Sequence, residues 1–209
     1  MSAVIFDFDG TIADSFGEVI ALIHQLTGTH ERMTEKEIER LRGMSAYRVA
    51  RELEIKPWKI PFLVAKGRRL LRKEMSKIPI FSGIPDVIQT LSHQGHKLYI
   101  MSSNSVQNIH ELLDRETLDN EFIKIYGGVG LFGKARVLKK ILRQNKLRAQ
   151  DTYYVGDEVR DIEGAQRAGV HIISVTWGYN NAKALAAHNP DWLVDSPQEL
   201  PQVVGKQAR

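Results

Sequence analysis

Ala3-Val4-Ile5-Phe6-Asp7-Phe8-Asp9-Gly10-Thr11 is an apolar run that ends in two acids, a glycine and a threonine. Residues 3–8 are short, apolar and partly β-branched, which predicts a strand, and Asp9-Gly10 predicts the turn that ends it. An extended chain has a period of two, so Asp7 and Asp9 share one side and Phe8 faces the core. Thr152-Tyr153-Tyr154-Val155 repeats the pattern and runs into Gly156-Asp157. Asp161 follows four residues later, one helical turn away, so both acids can face the same cleft.

Working outward, residues 97–101, 122–126, 170–175 and 191–194 also predict strands. Between them, residues 85–93, 106–113, 135–143, 162–168, 181–187 and 198–204 carry helical patterning. Strands alternating with helices predict an α/β fold with a parallel, Rossmann-like sheet covered by helices. The alternation is interrupted once. Phe16, Val19, Ile20 and Ile23 recur at helical spacing, and Thr34 with Glu37 forms a capping box for a helix that Gly43 ends. Residues 46–53 and 62–75 continue in helical style. Residues 15–80 therefore read as an all-helical cap, inserted into a core of residues 1–14 and 81–209.

Of the 209 residues, 43% are hydrophobic, enough for one core domain with a smaller insertion. No apolar segment approaches a membrane span, and no cleavable leader pattern precedes Ala3, so the expected location is cytoplasmic. Cysteine is absent, which excludes disulfide scaffolds, thiolate zinc sites and cysteine nucleophiles. The net charge of +4 favours anionic partners without separating a phosphate ester from nucleic acid. Lys56, Lys59, Lys66, Arg68, Arg69, Arg72, Lys73 and Lys77 form a basic cluster, whose plain reading is a solvated helix face.

In an open α/β sheet, ligands bind beyond the carboxyl ends of the strands. Asp7, Asp9, Asp157 and Asp161 all fall there, and four converging carboxylates repel one another unless a cation intervenes. A hard divalent ion with oxygen ligands, Mg2+, is the expected cofactor, and it also suits phosphoryl oxygens. Ser102 closes the strand 97–101, where a hydroxyl can bind a phosphoryl oxygen. Ser103, Asn104 and Ser105 compete for that role, and the same polar run also reads as a helix cap. Lys134, opening a helix after Gly133, is either a surface lysine or the cation that offsets the charge of Asp7.

These residues give the chain a resemblance to the haloacid dehalogenase superfamily, and within it to the phosphoglycolate phosphatase-like and β-phosphoglucomutase-like members with a helical cap. The family's four motifs are matched by Asp7-Phe8-Asp9-Gly10-Thr11, by Ser102 after Tyr99-Ile100-Met101, by Lys134, and by Gly156-Asp157-Glu158-Val159-Arg160-Asp161. The resemblance implies that Asp7 is the nucleophile and Asp9 the general acid and base, with Ser102 and Lys134 holding the phosphoryl group. It also implies magnesium on Asp7, the backbone carbonyl of Asp9 and Asp157, with Asp161 supporting and Thr11 in the first motif.

Members that cleave carbon–halogen bonds usually lack the second aspartate, so Asp9 points to phosphate chemistry. The implied substrate is a small phosphorylated metabolite, phosphoglycolate being one example, for a monomer or homodimer that engages neither nucleic acid nor membrane. Arg42 and Arg48, around Gly43-Met44-Ser45-Ala46-Tyr47, could pair with a carboxylate or second phosphate, or pack within the cap. Thr176-Trp177-Gly178-Tyr179 resembles the segment that borders the cleft in such phosphatases, and core packing is its other reading. The alternatives are inorganic pyrophosphatase and a mutase of the β-phosphoglucomutase type, which expects a basic residue where this chain has Ala46. A non-enzymatic binding module built on the basic cluster has no recognisable fingerprint here.

Overall fold

The computed structural model describes residues 1–27, 34–44, 46–52, 55–56, 58, 62, 66, 77–130 and 133–206. Most of the basic cluster and the helix expected over 62–75 lie outside the described residues. Six parallel strands form one sheet: β1 (Ala3–Phe6), β2 (Lys97–Met101), β3 (Phe122–Tyr126), β4 (Thr152–Gly156), β5 (His171–Val175) and β6 (Trp192–Val194). Their order is β3-β2-β1-β4-β5-β6, as expected for an α/β sheet of the Rossmann type. The chain builds outward from β1 on one side and then crosses back to continue from β1 on the other. The connections leaving β1 and β4 therefore diverge, which opens a crevice between their carboxyl ends.

The two-residue period of the strands divides the interior into two layers. Val4 and Phe6 belong to one apolar cluster, and Ala3 and Ile5 to the other. Leu98 and Ile100 alternate with Tyr99 and Met101 in the same way, as Tyr153 and Val155 do with Tyr154. The first layer is closed by Ile84, Val87, Ile88 and Leu91 of α4 (Ile84–His93) and by Ile109, Leu112 and Leu113 of α5 (Val106–Arg115). The second is closed by Leu138 and Ile141 of α6 (Lys134–Asn145) and by Ile162, Ala165 and Ala168 of α7 (Val159–Ala168). A sheet buried on both faces explains why its strands read as continuous apolar runs.

Between β1 and α4 the described elements are helices: α1 (Phe16–Thr27), α2 (Glu35–Arg42) and α3 (Ala46–Glu52). The capping box forms as expected, with the Glu37 N–H donating to Thr34 Oγ1 and the Thr34 N–H to Glu37 Oε2. The segments flanking this helical block run side by side. Asp14 N–H donates to Pro79 O at 2.9 Å, and Phe81 N–H to Ile12 O at 3.0 Å. Among the described residues no helix is long and apolar enough to cross a membrane.

Two boundaries differ from the sequence reading where the site begins. β1 ends at Phe6 rather than residue 8, because the Phe8 carbonyl closes a turn by accepting the N–H groups of Thr11, Ile12 and Ala13. Phe8 still enters the core, fully buried, as alternation requires. α7 begins at Val159 rather than residue 162, which places Asp161 in its first turn. A short helix, α8 (Ala182–Ala186), follows β5 and is capped by Asn181, and α9 (Leu200–Val203) ends the described fold.

Candidate active site

The carboxyl ends of β1 and β4 meet directly. Asp7 N–H donates to Val155 O at 2.8 Å, and the Thr11 hydroxyl donates to Asp157 Oδ1 at 2.8 Å. Residues 146 apart in sequence are thus one hydrogen bond apart in space. Gly10 makes this approach possible. Its φ is +79°, which glycine adopts without strain, and a Cβ at this position would collide with the Asp157 carboxylate.

Lys134, the first residue of α6, is the bridging cation. Its Nζ lies 2.5 Å from Asp7 Oδ2 and also pairs with Asp161 Oδ1. All three side chains are buried, so the ion pairs are shielded from solvent. Gly164 allows α7 to pack this closely against α6, since a Cβ there would come within 2.9 Å of the Lys134 Cβ. Asp161 is held further by the Tyr154 hydroxyl at 3.1 Å and the Glu158 N–H at 2.9 Å.

Asp9 has different partners. Its Oδ1 accepts from the Ser15 hydroxyl and from Asn104 Nδ2, each at 3.1 Å, and no described residue donates to Oδ2. Asn104 is itself fixed, because its Oδ1 accepts from Asn108 Nδ2 and from the Ser105 N–H. Ser102 is buried at the end of β2, and its hydroxyl accepts the Asn104 N–H at 3.0 Å, which leaves its own hydrogen to donate. Asn104 thus takes a structural place on Asp9, while Ser103 is only half-buried.

Burial is the main influence on the acids. It raises the Asp7 pKa to about 7; the charge of Asp161 adds to the rise and Lys134 opposes it. Asp157 is pushed well above the carboxylate range by burial and by the charges of Glu158, Asp161 and Asp7. Asp9 is also raised by burial, against the hydrogen bonds from Asn104 and Ser15. For Lys134, burial favours the neutral amine, but Asp161 and Asp7 outweigh it and raise its pKa. Buried acids that repel one another and surround a single lysine fit a divalent cation with oxygen ligands. Among the described residues, the carboxylates with metal-ligand spacing are Asp7, Glu158 and Asp161, whose oxygens lie within 4.8 Å of one another. Asp157 is not in that group; its Oδ1 accepts from Thr11 and its Oδ2 from the Tyr179 N–H at 2.7 Å. Glu158 fell outside the sequence reading because it occupies a variable position of the fourth motif.

The loop after β5 joins the site to α2. The Asn180 N–H donates to Asp157 O, and Asn180 Oδ1 accepts the Val159 N–H at 2.9 Å. The same side chain donates through Nδ2 to Arg42 O and Met44 O, at 2.9 and 2.8 Å. Arg42 returns a bond from Nη2 to Gly178 O and lies over the Phe16 ring, which packs on Tyr179. Asn181 adds bonds from its N–H to Arg42 O and from Nδ2 to Glu39 Oε1. Tyr179 therefore borders the cleft, with its hydroxyl 2.9 Å from Ser15 Oγ. Trp177 packs against Phe81, and its Nε1 donates to Thr11 O. Arg48 stands exposed on α3, whereas the side chains of Ala46 and Tyr47 lie outside the described residues.

A family model described as haloacid dehalogenase-like hydrolase matches residues 4–175. The phosphoglycolate phosphatase of Synechococcus elongatus is 34% identical over 206 residues, covering 98% of this chain and 97% of that protein. A predicted phosphatase from Clostridium acetobutylicum superposes with a TM-score of 0.80 at 20% identity, over 96% of each chain. CbbY from Rhodobacter sphaeroides, solved in complex with phosphate, gives a TM-score of 0.73 at 21% identity, over 96% of each chain.

Proposed function

The chain belongs to the haloacid dehalogenase-like hydrolases, and from that premise we propose that it hydrolyses a small phosphate monoester through an aspartyl-phosphate on Asp7. The observation that carries this reading is the pairing of Asp7, buried at the end of β1, with Lys134, while Asp9 sits two residues on with its pKa raised and one oxygen unengaged.

In the first step a carboxylate oxygen of Asp7 attacks phosphorus and the bond to the leaving alcohol breaks. Asp9, protonated, gives its proton to the departing oxygen. In the second step Asp9 takes a proton from water as that water attacks the phosphorus of the aspartyl-phosphate. The bond to Asp7 then breaks, releasing orthophosphate and restoring both acids. Lys134 favours the ionised form of Asp7, and with Ser102 it donates to the phosphoryl oxygens, where negative charge is spread during transfer. Asp7, Asp157 and the Asp9 carbonyl, with Glu158 beside them, would hold magnesium, which supplies charge neutralisation to the phosphoryl group.

The described helices α1, α2 and α3 would belong to a cap of residues 15–80 over a core of residues 1–14 and 81–209, which favours a compact substrate. 2-Phosphoglycolate is the substrate to test first, given the name and near-complete coverage of the relative from Synechococcus elongatus. A diffusible metabolite of this kind also agrees with the cytoplasmic setting expected above. The test is phosphate release from 2-phosphoglycolate, pyrophosphate, sugar phosphates and nucleotides, with and without magnesium. Metal-dependent release that Asp7→Asn abolishes in a folded protein is expected. Turnover that survives Asp7→Asn would refute the nucleophile assignment.

A further inference from the structure

Between the two acids of the fourth motif stand Glu158, Val159 and Arg160, and of the two charged ones Arg160 has no role so far. Arg160 lies in the first turn of α7. Its Nε, at 2.8 Å, and its Nη2 both donate to Oε1 of Glu158. Its Nη1 is shielded from solvent and has no hydrogen-bond partner. The side chain as a whole retains 22% exposure, so the guanidinium is only partly covered. A dehydrated cationic N–H without an acceptor is costly, and a bound ligand is one way in which such a group is completed.

Its position is fixed by Glu158, which takes two of its N–H groups. Carboxylate oxygens of Glu158, Asp7 and Asp161 lie within 4.8 Å of one another. The guanidinium therefore sits beside the acid that stands next to the nucleophile. Donor counting at the phosphoryl position points the same way. A transferring phosphoryl group presents three non-bridging oxygens. Lys134 has three N–H groups and commits two of them, to Asp7 and Asp161. Ser102 has one hydrogen to give, since its oxygen already accepts from Asn104. Lys134 and Ser102 thus supply two donors, and Nη1 of Arg160 is a third, already stripped of water.

We propose that Arg160 is a further phosphoryl-binding residue, with Nη1 donating to a non-bridging oxygen of the transferring group while Glu158 fixes the guanidinium from its other side. This rests on the phosphohydrolase reading above. Glu158 is then a positioning residue as well as an acid beside the metal position.

The test uses the magnesium-loaded protein and three variants: Arg160→Met, Arg160→Lys, and Glu158→Gln/Arg160→Met. The double variant covers the case in which a lone buried Glu158 prevents folding, and thermal melts verify the fold of each. Orthophosphate binding is measured by titration calorimetry. Turnover is measured on 2-phosphoglycolate and on p-nitrophenyl phosphate, whose leaving group bears no carboxylate. Loss of one charge-assisted bond predicts roughly 10- to 100-fold weaker orthophosphate binding in Arg160→Met, a similar drop in kcat/KM on both esters, and partial recovery in Arg160→Lys. Unchanged orthophosphate affinity would overturn the proposal. So would a loss confined to 2-phosphoglycolate, which assigns the guanidinium to the substrate's carboxylate instead. If the wild type cleaves none of the esters tested above yet binds orthophosphate in an Arg160-dependent way, the hydrolase reading falls, and what survives is phosphate binding by Arg160.

Discussion

Replacing Lys134 by methionine keeps most of the side-chain volume and removes the cation that touches both Asp7 and Asp161. The side chains of Lys134, Asp7 and Asp161 are 3%, 4% and 0% exposed, so water cannot take over the role of the ammonium. Breaking a buried pair by deleting one partner typically costs about 3–5 kcal/mol. Two features favour the lower end. The Asp7 pKa, already about 7, rises further once Lys134 is gone, so the acid takes up a proton rather than remaining as a buried anion. Asp161 keeps its bonds from Tyr154 and from the Glu158 N–H. The expected loss at pH 7 is therefore about 3 kcal/mol for the metal-free protein, read from the urea midpoint at unchanged m-value. The pKa of Lys134 is raised on folding, so its contribution is complete below the unfolded value and is lost only as pH rises through the folded one. At pH 7 Lys134 itself is fully charged, while Asp7 is titrating. Adding Asp161→Asn to the variant removes one of the two stranded carboxylates, and the double-mutant cycle should return a coupling above about 1 kcal/mol. A single-variant loss below about 1 kcal/mol, or strictly additive effects, would refute the claim that Lys134 is needed to hold these acids together.

Asp9→Asn keeps the shape but has no proton to give or take, and kcat should fall by roughly 10²- to 10⁴-fold with the fold intact, as steady-state assays and a thermal melt will show. Gly10→Ala forces a Cβ into a left-handed backbone and onto the Asp157 carboxylate, so metal-dependent turnover should be lost and stability should drop by at least about 1 kcal/mol in denaturant melts. In the metal-free protein, folded Asp7 retains a proton up to about pH 7, whereas the unfolded chain releases it near the ordinary aspartate value of 3.8. Stability should therefore fall as pH rises across that interval, and melts of wild type against Asp7→Asn at several pH values isolate this share. Saturating magnesium should flatten the dependence, because the ion displaces the proton.

The sheet was legible because its strands are buried on both faces and end in acids and glycines, a pattern that is local in sequence. Asp7, Asp9 and Asp157 were legible for the same reason, each standing just beyond an apolar run. Lys134 was found through its place in the family's motif order, since nothing near it announces a residue 127 positions away as its partner. What surrounds the acids was harder to read. Ser15 on Asp9, Tyr179 on Asp157 and Tyr154 on Asp161 are ordinary helix-entry, loop and strand residues until the fold brings them in. Asn104 read equally well as a helix-cap residue, and only its contact with Asp9 separates the roles. Arg42 and Arg48 looked equivalent in the sequence, but α2 directs the first onto Gly178 while α3 leaves the second exposed.

The bonds between the end of α2 and residues 178–181 have a kinetic side. Any motion that lifts α2 from the core must break five of them: Arg42 to Gly178, Asn180 to Arg42 and to Met44, and Asn181 to Arg42 and to Glu39. Asn180 and Tyr179 also grip Asp157, so such a motion would slacken the very acid on which ion retention would depend. Were α2 to lift, opening and chemistry would exclude each other, because one set of contacts serves both the seating of the helix and the anchoring of the acid.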